Sequence, residues 1–353
     1  MRTGLFLAYW PWFSFAEQIE LARMADDLRL DSVWVSEAWG QDAATVLAHL
    51  SAVTEHVDLG SGLFQIPARS PAMTAMTAAT LDVISGGRFR LGLGVSGPQV
   101  SEGWHGVRFG SPLGRTEEYV AIVRKALARE RVEFHGKHYE LPLPDGPGKA
   151  IKLTVHPVRE HIPVYLAAIG PKNLELAGRI ADGWLPLFFA PEHASQLLEP
   201  VRTGRAAAGH TGDDALDGFD IAPTVPTRID ADVEAAAAPI RAYAALYIGG
   251  MGSRDKNFYN ALAVRMGFEQ EAQQVQDLYL GKQYAEAAAA VPRDFIDQTS
   301  LIGPPERIRD RLQAYADSGV TTLTVSPFGA TLEERTQILR TIAEQLDAAG
   351  LAQ

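Results

Sequence analysis

The chain contains no cysteine, which removes disulfides, thiolate nucleophiles and cysteine metal ligands together. It is short of positive charge: 32 Lys and Arg against 43 Asp and Glu leave a formal net charge of −11. That balance argues against nucleic acid and anionic membrane surfaces as partners. No apolar run approaches membrane-spanning length. The opening MRTGLFLAYWPWF is apolar, yet it has neither a charged leader nor a small-residue cleavage site, so a cytoplasmic protein is expected. The nine histidines lack metal spacing, His135 and His138 fall on an expected hairpin, and no metal site is expected. Neither G-x-S-x-G nor a glycine-rich loop closing on Lys-Ser/Thr occurs.

What the chain does contain is an organising stretch at 58–98, DLGSGLFQIPARSPAMTAMTAATLDVISGGRFRLGLGVSGP. It reads as strand, glycine-containing loop, amphipathic helix, Gly-Gly turn, strand and glycine-rich loop. Two strands joined through one helix make a βαβ unit with parallel strands and a right-handed crossover. Both strands end in small residues, Gly60-Ser61-Gly62 on the first and Gly92, Gly94, Ser96 and Gly97 on the second. Ligands of parallel α/β folds sit at the carboxyl ends of strands, so ends stripped of side chains predict a flat, large ligand there.

Around this unit, short β-rich runs alternate with longer helical ones. Further strands are expected at 4–9, 32–36, 163–168, 184–189, 220–229 and 321–326. Eight strands with interleaved helices predict an α/β fold of the (β/α)8 TIM barrel type, with a doubly wound open sheet as the alternative. The 353 residues, 46% of them hydrophobic, suit one barrel domain over 1–353. Two segments break the alternation. Residues 131–162 carry the hairpin around Gly136, and 232–290 read as a helical insertion before the last strand, with Gly249-Gly250-Met251-Gly252 as a hinge. Ser111-Pro112 reads as the cap and first position of a helix over 113–129.

Gly92-x-Gly94-x-x-Gly97 matches the dinucleotide fingerprint letter for letter. That motif needs a helix opening at its third glycine, whereas Pro98 and about fifteen loop-like residues are expected here, and the Rossmann reading is rejected. The junction AAIGPKN at 167–173 sets backbone N–H groups at a helix N-terminus, with Gly170 open to close approach and Lys172 adding charge. It suits a phosphate or an ordinary βα turn about equally, and Asn173 tips it towards phosphate. Glu37 ends an apolar strand, where barrel enzymes place working groups and where a rim salt bridge is the competing role. Trp10, Trp12, Trp39 and Trp104 fall in loops after strands, positions that wall an aromatic pocket or pack on inserted segments.

With Gly86-Gly87-Arg88-Phe89, the run 92–97 and Glu102-Gly103-Trp104-His105-Gly106-Val107, the chain resembles the bacterial luciferase-like superfamily. AAIGPKNLELAGRIADGW at 167–184 is similar to the actinobacterial branch that uses the deazaflavin coenzyme F420, with FMN the alternative because related barrels bind it in the same cleft. The resemblance implies a non-proline cis peptide matching Gly62-Leu63, beside Gln65, and a strand-four loop matching Gly94, Val95, Ser96 and Gly97. It implies a phosphate turn matching Ala168, Ile169, Gly170, Lys172 and Asn173, and an acidic residue after the second strand matching Glu37, which is the catalytic candidate, with the acid/base residue left open. Met251 and the four tryptophans would then face the substrate. Some deazaflavin dehydrogenases carry a histidine after the acid, where Ala38 stands, and a glutamate in the strand-four loop, where Pro98 stands. The dyad of sugar-phosphate dehydrogenases is therefore missing. Implied overall are hydride transfer between the deazaflavin C5 and a small organic substrate, and a homodimer. Lys172, Arg179 and Arg69 are candidates for a basic strip under the cofactor's anionic tail. The rivals are an FMN-dependent luciferase-like monooxygenase and a flavin-free lyase or isomerase that holds a substrate phosphate at 168–173.

Overall fold

The computed structural model describes residues 1–8, 13–212 and 215–352. At its centre lie the parallel strands β1 (Arg2–Leu7), β2 (Ser32–Val35), β3 (Asp58–Ser61), β4 (Phe89–Gly94), β5 (Val164–Leu166), β6 (Gly183–Trp184), β7 (Asp220–Ile221 and Thr224–Ile229) and β8 (Thr322–Pro327). From β1 to β6 each pairs with the next in sequence. β1 also pairs with β8, and β7 meets both ends, β6 through Asp220–Ile221 and β8 through its second part. The sheet therefore curls round on itself. Because neighbours in the sheet are neighbours in the chain, the switch point of a doubly wound sheet does not arise.

Local chemistry sets the elements. All four residues of β2 are buried, as β-branched and aromatic side chains require when both faces of a strand are covered. Ser14 and Glu17 form a reciprocal capping box on the helix Phe15–Asp27. Ser70 caps the helix Pro71–Ile84 with proline in its first turn. Gly86 and Gly87 then turn with φ of 69° and 87°, which delivers Arg88 to the carbonyls of Val57 at 2.6 Å and Thr54 at 2.9 Å. The Gly86-Gly87-Arg88-Phe89 signature is thus a clamp between two chain segments below the sheet.

An ionic plug closes the amino ends of the strands. Arg90 donates to Asp31 and Asp58 at 2.7 Å each, and Asp220 lies 3.8 Å away. Asp220 also accepts from the Tyr165 and Thr322 hydroxyls at 2.8 Å and pairs with Arg2 at 2.9 Å. Burial raises the pKa of Asp58, and Arg90 opposes that rise. With every member satisfied, such a network aligns the strands it joins.

The structure departs from the sequence expectations in several places, each for a physical reason. Three of the strand-end glycines are also required by close packing within the protein, while Gly62, Gly94 and Gly97 line the cavity at the strand ends. A Cβ on Gly60 would lie 2.3 Å from the Trp34 ring, on Gly92 1.9 Å from the Ser61 carbonyl, and on Gly94 2.6 Å from Leu63. A helix, Pro98–Gly103, opens directly at Gly97, since proline in a first turn starts a helix rather than a loop. The Rossmann reading is therefore excluded by strand order and not by a missing helix. Ser111 sits at φ 46° and makes no capping bond. The strand expected over 184–189 is confined to Gly183–Trp184, and Phe188, at φ 57°, turns the chain away.

Residues 131–162 contain the antiparallel pair Phe134–His135 and Glu140–Leu141. The fully buried Asp82 holds the end of this segment, accepting from the Val158 and Arg159 backbone at 2.8 and 3.0 Å. After β7 come the helices Val233–Ala245, Phe258–Arg265, Glu269–Leu280, Tyr284–Ala290 and Arg293–Thr299, with a π-turn at Leu246–Gly250. An unexpected short strand, Leu301–Gly303, then pairs with Thr227–Ile229. Gly249 and Gly250, placed in the expected hinge, are closely packed, because a Cβ on either would lie 2.4 Å from Tyr279. The Tyr247 and Ile248 carbonyls within the π-turn accept from Asn257 Nδ2 at 2.9 Å, while its Oδ1 caps the next helix through Tyr259 N. Among the described residues no helix is long and apolar enough to cross a membrane.

Candidate active site

The carboxyl ends of the strands surround a cavity of about 1090 Å³, ample for a cofactor and a substrate together. Its lining includes Gly62, Leu63, Gln65, Gly94, Val95, Ser96 and Gly97 from the third and fourth strand ends, and Ile169, Gly170, Lys172 and Asn173 from the fifth. Glu37, Trp39 and Met251 line it too. Ala168 does not; it is buried behind the wall, where its carbonyl accepts from the Trp184 indole at 2.9 Å. Trp104 is 66% exposed and lies outside the lining, so its expected place in a substrate pocket is withdrawn. Trp10 and Trp12 lie outside the described residues.

The floor is built around Glu37. Its side chain is 6% exposed and forms a two-pronged pair with Arg69, at 2.5 and 2.9 Å. It also accepts from the Ala43 and Gln65 backbone N–H groups at 3.0 and 3.4 Å. Burial alone would lower the Arg69 pKa, but Glu37 and Asp42 outweigh it and the pKa is raised. Gln65 continues the network, donating to the Ala38 carbonyl at 2.7 Å and accepting from Ser96 at 3.0 Å. Held on both oxygens, Glu37 ties the segment that follows β3 to Arg69 and to the start of the next helix at Ala43. Within that segment the Gly62–Leu63 peptide is cis, as the resemblance implied.

Two helix N-termini meet the rim. Gly97 precedes Pro98–Gly103 and Gly170 precedes Pro171–Ile180, and neither carries a side-chain capping bond. A Cβ on Gly170 would meet nothing within 4 Å, and on Gly97 nothing closer than Gln99 at 3.6 Å. Open backbone donors under a helix dipole are the requirement for a phosphate. Lys172 has no carboxylate partner among the described residues, whereas Arg179 pairs with Glu117 at 2.7 Å and Arg69 with Glu37. The expected basic strip therefore shrinks to Lys172. Arg265, which the sequence reading missed, joins it, donating to the Ile169 carbonyl at 3.0 Å.

The opposite wall was largely missed from sequence. Tyr243, Tyr247 and Tyr259 line the cavity with Phe258 and Phe328. Their ring centroids are 4.8 Å apart from Tyr243 to Tyr247, and again from Tyr247 to Tyr259. Phe188 backs all three at 5.7 to 6.1 Å. Tyr243 and Tyr247 stand four residues apart, Tyr243 on the helix Val233–Ala245 and Tyr247 on the π-turn that continues it, a spacing that could have marked them. Burial raises the Tyr259 pKa, and Tyr247 adds to it, so the phenol stays protonated. The cations on this side are engaged: Arg228 with Glu334 at 2.6 Å, and Arg335 with Glu17 at 2.6 Å. Among the described residues no histidine lines the cavity and no His/Cys/Asp/Glu group could hold a metal.

Comparison with known proteins agrees with this geometry. The family model described as luciferase-like monooxygenase matches residues 1–322. The chain is 42% identical, over 92% of its length and 95% of the other, to a Mycobacterium tuberculosis protein named as a coenzyme F420-dependent oxidoreductase. It is 26% identical to the 5,10-methylenetetrahydromethanopterin reductase of Archaeoglobus fulgidus, over 96% and 97% of the two chains. Among solved structures, the coenzyme F420-dependent tetrahydromethanopterin reductase of Methanopyrus kandleri superposes with a TM-score of 0.81, at 25% identity over 96% of each chain.

Proposed function

The chain belongs to the luciferase-like monooxygenase family, and from that premise we propose that it is an oxidoreductase whose cavity binds coenzyme F420 and a small organic substrate. The observation that carries the placement of the cofactor's phosphate is the uncapped helix N-terminus at Gly170 on the cavity rim, open where a ligand phosphate needs backbone donors and with Lys172 beside it, while the choice of F420 rests on the relatives named above. In this reading residues 169–173 hold the phosphate, with Lys172 and Arg265 beside it. Gly62, Leu63 and the loop at 94–97 support the ring. When bound, F420 supplies hydride chemistry at C5.

The protein's own work is then positional. The Arg69–Glu37–Gln65–Ser96 network fixes the floor under the ring, so Glu37 is a positioning residue rather than an acid or base. Met251 and Phe258 complete the cavity wall, and a dry, shaped site favours hydride transfer over side reactions. The homodimer implied by the resemblance would cover the exposed stripe Met73, Met76, Val83 and Ile84 on the helix Pro71–Ile84.

An anaerobic assay tests the reaction class. Reduced F420 with a panel of carbonyl and enone substrates should be oxidised in an enzyme-dependent manner, visible as return of the oxidised deazaflavin absorbance. Enzyme-dependent oxygen consumption with reduced FMN, and none of the former, would place the protein among the monooxygenases instead.

A further inference from the structure

We propose that the aromatic wall of the cavity formed by Tyr243, Tyr247, Tyr259 and Phe328 takes an uncharged, flat and largely apolar substrate, whose carbonyl-type oxygen is oriented by the Tyr259 hydroxyl. The assignment of that wall to the substrate rests on the cofactor reading above. Three observations carry the rest.

The first is charge. Arg228 is bound to Glu334 and to the Phe328 carbonyl, at 2.6 and 3.1 Å. Arg335 is bound to Glu17 and to the Gly329 carbonyl, at 2.6 and 2.9 Å. Glu37 is occupied by Arg69. An ionic substrate would have to break one of these pairs to be matched, and burying it unmatched is costly.

The second is shape. Tyr243, Tyr247, Tyr259 and Phe328 present ring edges and faces at mutual angles of 54° to 84°. Such walls accept a planar apolar body through edge-to-face and stacked contacts.

The third is the Tyr259 hydroxyl. Tyr259 lines the cavity, and its phenol makes no hydrogen bond to any described residue, although its backbone N–H is held by Asn257 at 2.9 Å. The Asn257 amide also binds the Tyr247 carbonyl at 2.9 Å, so the two tyrosines are fixed relative to each other. Burial keeps the phenol protonated, which makes it a donor awaiting an acceptor. A neutral substrate oxygen is the acceptor the site calls for.

Three isosteres test this by calorimetric titration, with F420 present and absent: acetophenone, benzoate and ethylbenzene. Acetophenone should bind at least about 10-fold tighter than benzoate, the distance a desolvated charge imposes. Tyr259→Phe should weaken acetophenone about 3- to 10-fold, the worth of one hydrogen bond, and leave ethylbenzene within about 2-fold. Benzoate equal to acetophenone, no measurable acetophenone binding, or an equal effect of Tyr259→Phe on both neutral probes would overturn the proposal. The wild-type preference for acetophenone over ethylbenzene tests oxygen recognition without any variant. Failure of F420 itself to bind would remove the cofactor reading alone, because the isostere ranking is scored in the cofactor-free protein as well.

Discussion

Arg90→Met should cost about 3–5 kcal/mol of stability at neutral pH, the usual penalty for removing one partner of a buried ionic cluster. The cause is not lost packing, since methionine replaces most of the apolar stem. Asp58 would lose the Arg90 guanidinium it now pairs with, and Asp31 and Asp220 would keep only Arg2, at 3.7 and 2.9 Å. The deficit should shrink in acid. Burial already raises the Asp58 pKa and Arg90 restrains it, so the variant raises it further. A carboxyl with a raised folded pKa contributes stability that is present below its unfolded pKa and is lost as pH rises through the folded one. Urea midpoints of both proteins at pH 4 and pH 7 check this. A deficit independent of pH would mean that the plug acts through shape rather than charge.

Gly170→Val should lower F420 affinity about 100-fold or more while leaving the fold intact. The backbone there is extended, at φ −82° and ψ 152°, which a β-branched residue adopts freely. Among the described residues, chain neighbours aside, nothing lies within 4 Å of the added Cβ. Only a ligand approaching the backbone donors of the helix Pro171–Ile180 would meet the new methyl groups. Fluorescence titration of F420, with the unfolding midpoint as control, measures both sides. Unchanged affinity in a folded protein would remove residues 169–173 from the phosphate site.

How much of this was legible in the sequence differs by element. The eight strands stood out because buried parallel strands are continuous apolar runs, such as Val33-Trp34-Val35, punctuated by glycine and proline. The helix at Pro98 was missed because proline marks both a loop and a helix start, and only the neighbouring backbone tells them apart. Glycines at strand ends announced close approach correctly but not of what: Trp34, Ser61 and Leu63 fill the space at Gly60, Gly92 and Gly94. Glu37 was visible as a rim acid, yet its partner Arg69 lies 32 residues away, a contact that no local pattern encodes. The tyrosines after residue 240 sat in a segment whose helical period was plain but whose facing partner was not. Sequence periodicity shows which residues share a face, and only the fold shows what that face meets.

The central claim is the identity of the cofactor, and a paired titration addresses it most directly. F420 and FMN share a phosphate, but F420 continues into an anionic oligoglutamate tail, which on the proposed reading would pass Lys172, on the cavity wall, and Arg265, bound to the Ile169 carbonyl. At low ionic strength F420 should bind at least about 10-fold more tightly than FMN. That advantage should narrow as salt screens the tail, because exposed charges lose their attraction beyond a Debye length of about 8–10 Å. FMN binding equal to or tighter than F420 at low salt would contradict the account.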